Sequence, residues 1–213
     1  MKYQEILRIF RNRPLFESRE LDVFFDEAPE QIRARLSRWV AQGKLVQIRR
    51  GVYLLPEEFQ TVRINPFNVA NIIYRPSYIS LHTALEFYGH LPEKVFENES
   101  ITIHQTRKWH IPLGVFSYRS LDQKRFWGYY LHSSINNNKP SETAFFIAYP
   151  EKALLDLFYL SPGKWTVDCL QEMRFQNLDS LDRDRLSQFT ERFNSPKVTN
   201  AVRILISQKE EWI

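Results

Sequence analysis

The chain has 213 residues, 43% hydrophobic, 25% charged and 15% aromatic, a usage that excludes a disordered chain and gives one large domain or two small ones, able to bury a core without disulfides or metals. No apolar run approaches the roughly 18 residues that span a bilayer, which excludes a membrane protein. A single cysteine, Cys169, excludes an internal disulfide or a cysteine-based zinc site and is expected to be a small buried hydrophobe. The net charge of +4 is unremarkable in itself, but six cations, Arg33, Arg35, Arg38, Lys44, Arg49 and Arg50, face only Glu30 between positions 28 and 51, and residues 100–135 carry 5 basic against 1 acidic side chain.

Residues 2–10 place Ile6, Leu7, Ile9 and Phe10 at helical spacing, and Pro14 ends that helix. Charged residues through this stretch and the absence of an apolar h-region predict no signal peptide, so the chain is read as cytoplasmic. Ser18 is the expected N-cap of a second helix carrying Leu21, Phe24 and Phe25. Pro29 suits position N1 of a third helix, which runs to about Gln42 and stops at Gly43. At about 100° per residue, Ile32, Leu36, Trp39 and Val40 share one arc of that helix, while Gln31, Arg35, Arg38 and Gln42 form a separate stripe.

Residues 44–55 read as strand, turn and strand, with Gly51 in the turn. Three helices and a β-hairpin in this order predict a winged helix-turn-helix, whose third helix enters the major groove of double-stranded DNA with the hairpin beside it. Arg35 and Arg38 can then donate bidentately to guanine, and Gln31 and Gln42 can pair with adenine. Arg33, Lys44, Arg49 and Arg50 are expected to neutralise phosphates.

The boundary falls between residues 56 and 66, dividing the chain into a DNA-binding unit at 1–62 and an α+β unit at 63–213. Short helices are expected at 65–73 and 81–88, then β-structure at 100–105, 115–121, 126–133 and 143–149, with residues 136–140 (NNNKP) as a loop. Pro150 opens a helix, and further helices are expected at 167–175, 181–193 and 197–212. The fold class is α+β.

Three segments, residues 43–53 (GKLVQIRRGVY), 78–89 (YISLHTALEFYG) and 149–157 (YPEKALLDL), together resemble the AbiEi antitoxin family of abortive-infection, type IV toxin–antitoxin systems, described as predicted transcriptional regulators of viral defence. The resemblance extends to about Leu160. It implies an N-terminal winged helix that represses the protein's own operon, acting on an operator of its own gene, and a C-terminal unit that counters a nucleotidyltransferase-type toxin. It supplies no motif for the antitoxin contact.

Other chemistry is weaker. Glu151, Lys152 and Asp156 could activate water, but Glu151 also complements a helix dipole and Lys152 with Asp156 is an i, i+4 pair. None of the five histidines forms an i, i+4 metal couple, no phosphate loop is present, and neither metal nor cofactor is expected. In the 104–125 segment, Arg107, Lys108, Arg119, Lys124 and Arg125 mix with aromatics and either extend a nucleic-acid footprint or form a solvated loop. The alternatives to a repressor and antitoxin are a solitary winged-helix regulator, a protein-interaction module and, least favoured, an enzyme such as a nuclease.

Overall fold

The computed structural model describes residues 1–62, 64–133, 135, 136, 139, 140 and 144–210. The N-terminal unit runs α1 (Tyr3–Phe10), β1 (Leu15–Glu17), a 3₁₀ stretch (Ser18–Val23), α2 (Pro29–Ala41), β2 (Val46–Arg49) and β3 (Val52–Leu54). The three strands form an antiparallel sheet in the order β1-β3-β2, and the whole is a winged helix-turn-helix.

Two local expectations are corrected here. The second helix is a 3₁₀ stretch that begins at Ser18 rather than being capped by it, because the preceding residues have joined the sheet. Strand β1 is only three residues long, too short for an alternation to be read, and is held at its ends by Leu55 N donating to Pro14 O and Ser18 N donating to Gly51 O, both 2.9 Å. Glu17 N donates in turn to Glu20 Oε1 at 2.7 Å, closing the start of the 3₁₀ stretch.

Strand β3 is buried at every position, which a hairpin with one wet face would not allow. Successive side chains alternate between two cores. Phe16, Tyr53 and Leu55 pack on Ile6, Phe10, Leu21, Ile32, Leu36 and Trp39 of the helices. Leu15, Ile48, Val52 and Leu54 point the other way and join the large core of the second unit. The small sheet is thus sandwiched, with α1, the 3₁₀ stretch and α2 on one side and the second unit on the other.

The second unit contains α3 (Pro66–Ile73), β4 (Ser77–Ile79), α4 (Leu81–Phe87), β5 (Glu97–Thr102), β6 (Arg107–Ile111), β7 (Gly114–Ser120), β8 (Tyr129–His132), the short pair β9 (Ile135–Asn136) and β10 (Lys139–Pro140), β11 (Phe145–Ala148), then α5 (Pro150–Leu160), α6 (Val167–Glu172), α7 (Arg183–Phe193) and α8 (Pro196–Glu210). Six strands form a mixed sheet in the order β6-β7-β5-β4-β11-β8, with β4–β11 and β5–β7 parallel. The chain is therefore α+β, a winged helix followed by a mixed unit. Asn137 and Asn138 of the expected loop, and Trp212 of the last expected helix, lie outside the described residues. Strands β4 and β6 were not expected; β4 is three buried residues between two helices, and β6 (RKWHI) reads as basic and polar because it is a sheet edge. Cys169 is half-buried, with the Thr166 hydroxyl 3.2 Å from its sulfur.

Candidate nucleic-acid interface

Helix α2 starts at Pro29, runs to Ala41 and is stopped beyond its Gln42 cap by Gly43, whose φ of +71° is the left-handed turn that a glycine C′ residue supplies. Ile32, Leu36 and Trp39 anchor its inner side. Glu30, Gln31, Arg33, Ala34, Ser37, Arg38, Ala41 and Gln42 are all exposed. At 100° per residue the middle of that outer arc is Ala34, Ser37 and Ala41, with Glu30 at its N-terminal end, paired to Arg33. Small side chains along the crest leave room for a close approach of the helix to whatever it meets. Gln31, Arg38 and Gln42 flank the crest on one side, and none of their side chains has a protein partner among the described residues. Sequence reasoning missed the crest, since small neutral residues carry no charge signal.

The remaining cations of the first unit divide into free and engaged. Arg35 lies at the flank of the stripe, with its guanidinium 3.4 Å from Glu27 Oε2 and donating to the Met1 carbonyl. The Met1 ammonium, hydrogen-bonded to Glu27, holds that carboxylate below its usual range, and Arg35 adds to the effect. Arg35 is thus tied to the turn before α2 instead of standing free as its spacing predicts. Arg33 pairs with Glu30 at 2.6 Å, both side chains well exposed; such a pair exchanges easily with solvent. Lys44 lies 5.6 Å over the Tyr3 ring and remains exposed.

The wing is short. Gly51, at φ +80°, turns the chain within two residues, and Ser18 Oγ lies 3.4 Å from where a Cβ would stand. A β-bulge between Gln47 and Arg49 turns the Arg49 side chain inward. Its Nε is buried without a hydrogen-bond partner among the described residues, and its charge acts on Tyr118 in the second unit, opposing the upward push of burial on that phenol. Arg49 is therefore half-buried against the second unit, with its Nη1 donating to Arg50 O at 3.1 Å at the wing tip, and is less open to a phosphate than Arg50. Arg50 alone of the pair is exposed at the tip. The turn before α2 has the opposite charge, with Asp22, Asp26 and Glu27 beside exposed Val23 and Phe24, so positive charge is concentrated at the C-terminal half of α2 and the wing.

The 104–125 segment does not assemble into one surface. Arg107 and Lys108 are neighbours on β6 and so point to opposite faces. Lys108 pairs with Glu97. Arg119 donates to Leu160 O at 3.0 Å, closing the end of α5. Arg125 is held by Asp122, donates to Phe193 O at 3.1 Å and Asn194 O at 3.3 Å, and sits 4.9 Å over the Tyr159 ring. Arg107 and Lys124 remain exposed.

Glu151, Lys152 and Asp156 are no more than 1% exposed. Lys152 pairs with Asp156 and donates to Tyr78 OH at 3.0 Å, while Tyr78 OH and Ser80 Oγ donate to Asp156 Oδ2 at 3.0 and 2.9 Å. The rings of Tyr78, Trp127 and Phe193 enclose the ammonium at 5.2–5.5 Å. Burial pushes Lys152 down and Asp156 up, and their mutual attraction pulls each back. Glu151 accepts from Asp182 N at 2.8 Å. Among the described residues no cluster of three His, Cys, Asp or Glu side chains could hold a metal, and no helix is long and apolar enough to cross a membrane.

Residues 4–56 match the family model described as transcriptional regulator, AbiEi antitoxin. The matched stretch contains α2 and both wing strands, and it is the family that the sequence motifs resemble. No curated protein matches the chain.

Proposed function

We propose, taking the match of residues 4–56 to the AbiEi antitoxin regulators as premise, that this protein binds the operator of its own gene as a repressor and counters a nucleotidyltransferase-type toxin through residues 63–213. The observation that carries the DNA half is the outer face of α2. A crest of Ala34, Ser37 and Ala41 lies beside unpartnered Gln31, Arg38 and Gln42 on the side of the small sheet away from the second unit. In this reading the crest enters the major groove, where alanine methyl groups meet thymine methyls and Arg38 donates to a guanine edge. Lys44 and Arg50 flank it and neutralise phosphates, with Arg33 joining them once released from Glu30. No catalytic role is assigned, because no substrate reaches Glu151, Lys152 or Asp156.

A gel-shift titration of the full chain against its own upstream region and against random duplex, over a range of salt, tests this. Tighter binding to the upstream region, with log K falling by about 0.9 per neutralised phosphate against log salt, is expected. Equal affinity for both duplexes at every salt overturns the regulator reading. Co-purification with the product of a neighbouring nucleotidyltransferase-like gene tests the antitoxin half.

A second reading has its own support. Val23 is 82% exposed and Phe24 50%, beside the acidic turn that leads into α2, and a patch of that kind suits a basic protein partner better than a phosphate backbone. If the winged helix docks a protein, Val23→Ser with Phe24→Ser abolishes that complex and leaves duplex affinity as it was.

A further inference from the structure

A cavity of about 590 Å³ lies between the two units, within the size range of sites for small organic ligands. One side is the turn into β1 and the strand itself, from Asn12 to Glu17. The other is α3, the turn into β4, and the outer ends of β8 and β11.

Its chemistry is specific. The aromatic surfaces are Phe126, Tyr129 and Phe146, and Tyr129 holds the other two in place, 5.3 Å from Phe126 and 5.8 Å from Phe146 with the rings tilted or perpendicular. Among the described lining residues the two cations are each paired: Arg13 with Glu20, and Arg75 at 3.3 Å from Glu17 across the units. Those residues therefore offer no net charge to an anion or a cation. What remains for recognition is neutral hydrogen bonding. Asn65 Oδ1 accepts from Phe67 N at 2.9 Å, which leaves its Nδ2 as a donor. Asn12 Oδ1 takes the Thr61 hydroxyl at 2.6 Å, leaving a second amide donor. Asn68 Nδ2 donates to Ala144 O at 2.7 Å, leaving its Oδ1 as an acceptor. In each case the protein bond fixes which end of the amide is free. Ser77 is 6% exposed, lines the cavity, and its Oγ has no hydrogen-bond partner among the described residues. A buried hydroxyl with no partner is costly and uncommon in a finished core.

We infer that this cavity binds an uncharged planar heteroaromatic molecule of the nucleobase or nucleoside class. Such a ring stacks on the aromatic surfaces, and its edge carries both donors and acceptors to meet the free amides and Ser77. A ligand bearing phosphate gains nothing from the paired arginines. The site is independent of the reading of α2 as a DNA-binding helix and stands or falls separately.

Calorimetric titration of the full chain with adenosine, guanosine, cytidine and uridine tests the inference. At least one is expected to bind saturably with a Kd of about 1 mM or tighter, and its 5′-monophosphate no tighter than itself. Phe146→Ala and Ser77→Ala should each weaken that binding by about threefold to tenfold or more, in proportion to a lost stacking surface or hydrogen bond of roughly 0.7–1.5 kcal/mol. Ser77→Ala removes a hydroxyl without a protein partner, so its melting temperature should stay at or above the parent's, which separates lost binding from lost folding. No saturable binding by any of the four overturns the inference. Binding unchanged in both variants, or a monophosphate that binds at least tenfold tighter than its nucleoside, overturns it equally.

Discussion

The cations of α2 and the wing differ from those of the second unit in what has already claimed them. Among the described residues the exposed side chains of Arg38 and Arg50 have no protein partner, and exposed Lys44 lies only over the Tyr3 ring. Lys152 and Arg125 are enclosed by aromatic rings and hydrogen-bonded to a carboxylate or to the last carbonyls of a helix. A basic residue is available to a polyanion only where no internal acceptor holds it. Counting charges along the chain makes residues 100–135 a second basic stretch beside 28–51, yet Arg119 and Arg125 there close helix ends inside the fold and Lys108 is paired with Glu97.

The largest effect that tests this contrast is at Lys152. Lys152→Met leaves Asp156 buried with no cation, which should destabilise the protein by about 3–5 kcal/mol, a loss of roughly 6–20 °C in Tm for a chain of this size. Lys152→Met combined with Asp156→Leu should lose less than the single substitution, because the uncompensated charge is gone. A single variant that melts with the parent would show that the pair contributes nothing and would dissolve the contrast. Next in size is Arg38→Ala, expected to cost about 1–3 kcal/mol of operator affinity by removing a bidentate base contact, with little change in Tm. Arg35→Ala should do the reverse, leaving discrimination between duplexes intact while loosening the partly exposed Met1–Glu27–Arg35 cluster, with a small fall in Tm. If both arginine variants lose the same discrimination, the division between free and engaged guanidinia fails at α2.

Much of the architecture was legible because it rests on strong local signals. Pro29 and Gly43 bracket α2, Pro150 opens α5, and Gly51 sits in the wing turn, each through a backbone restriction that acts whatever the surroundings. Strands β1 and β4 were illegible, since three residues cannot display a period and both are held by partners far along the chain. The stripe of Gln31, Arg38 and Gln42 follows from helical spacing alone. The fates of Arg35 and Arg49 do not, because one depends on Glu27 across a turn and the other on a bulge and on Tyr118, some 70 positions later. The burial of Lys152 was hidden for a similar reason. An i, i+4 Lys–Asp spacing is identical on a wet helix face and in a core, and only the rings of Tyr78, Trp127 and Phe193 make the difference.

Smaller effects sharpen the comparison further. Arg50→Ala should weaken binding to every duplex alike and reduce the slope of log K against log salt by about 0.9, whereas Arg125→Ala should leave that slope unchanged. A slope that falls with Arg125→Ala would return the second unit to the nucleic-acid footprint.

The smallest effect is a titration. His82 Nδ1 lies 2.9 Å from Glu99 Oε2, and the same carboxylate oxygen accepts from His82 N at 2.9 Å. The hydrogen bond to Glu99 raises the imidazole above its ordinary value of 6.5, against an opposing push from burial. Since the folded value is the higher one, the stabilisation is complete below about pH 6.5 and disappears as pH rises through the raised value. The side chain is 39% exposed, so solvent screening holds the contribution below about 1 kcal/mol. His82→Gln keeps a hydrogen-bond donor and removes the titration. The Tm difference between parent and variant should therefore be widest near pH 6 and close towards pH 8–9 when both are melted across that range. A difference that is flat with pH would mean that Glu99 is held by the backbone N–H of His82 alone, and that this partly exposed pair belongs with the exchangeable surface contacts such as Arg33–Glu30 rather than with the buried ones that fix the second unit.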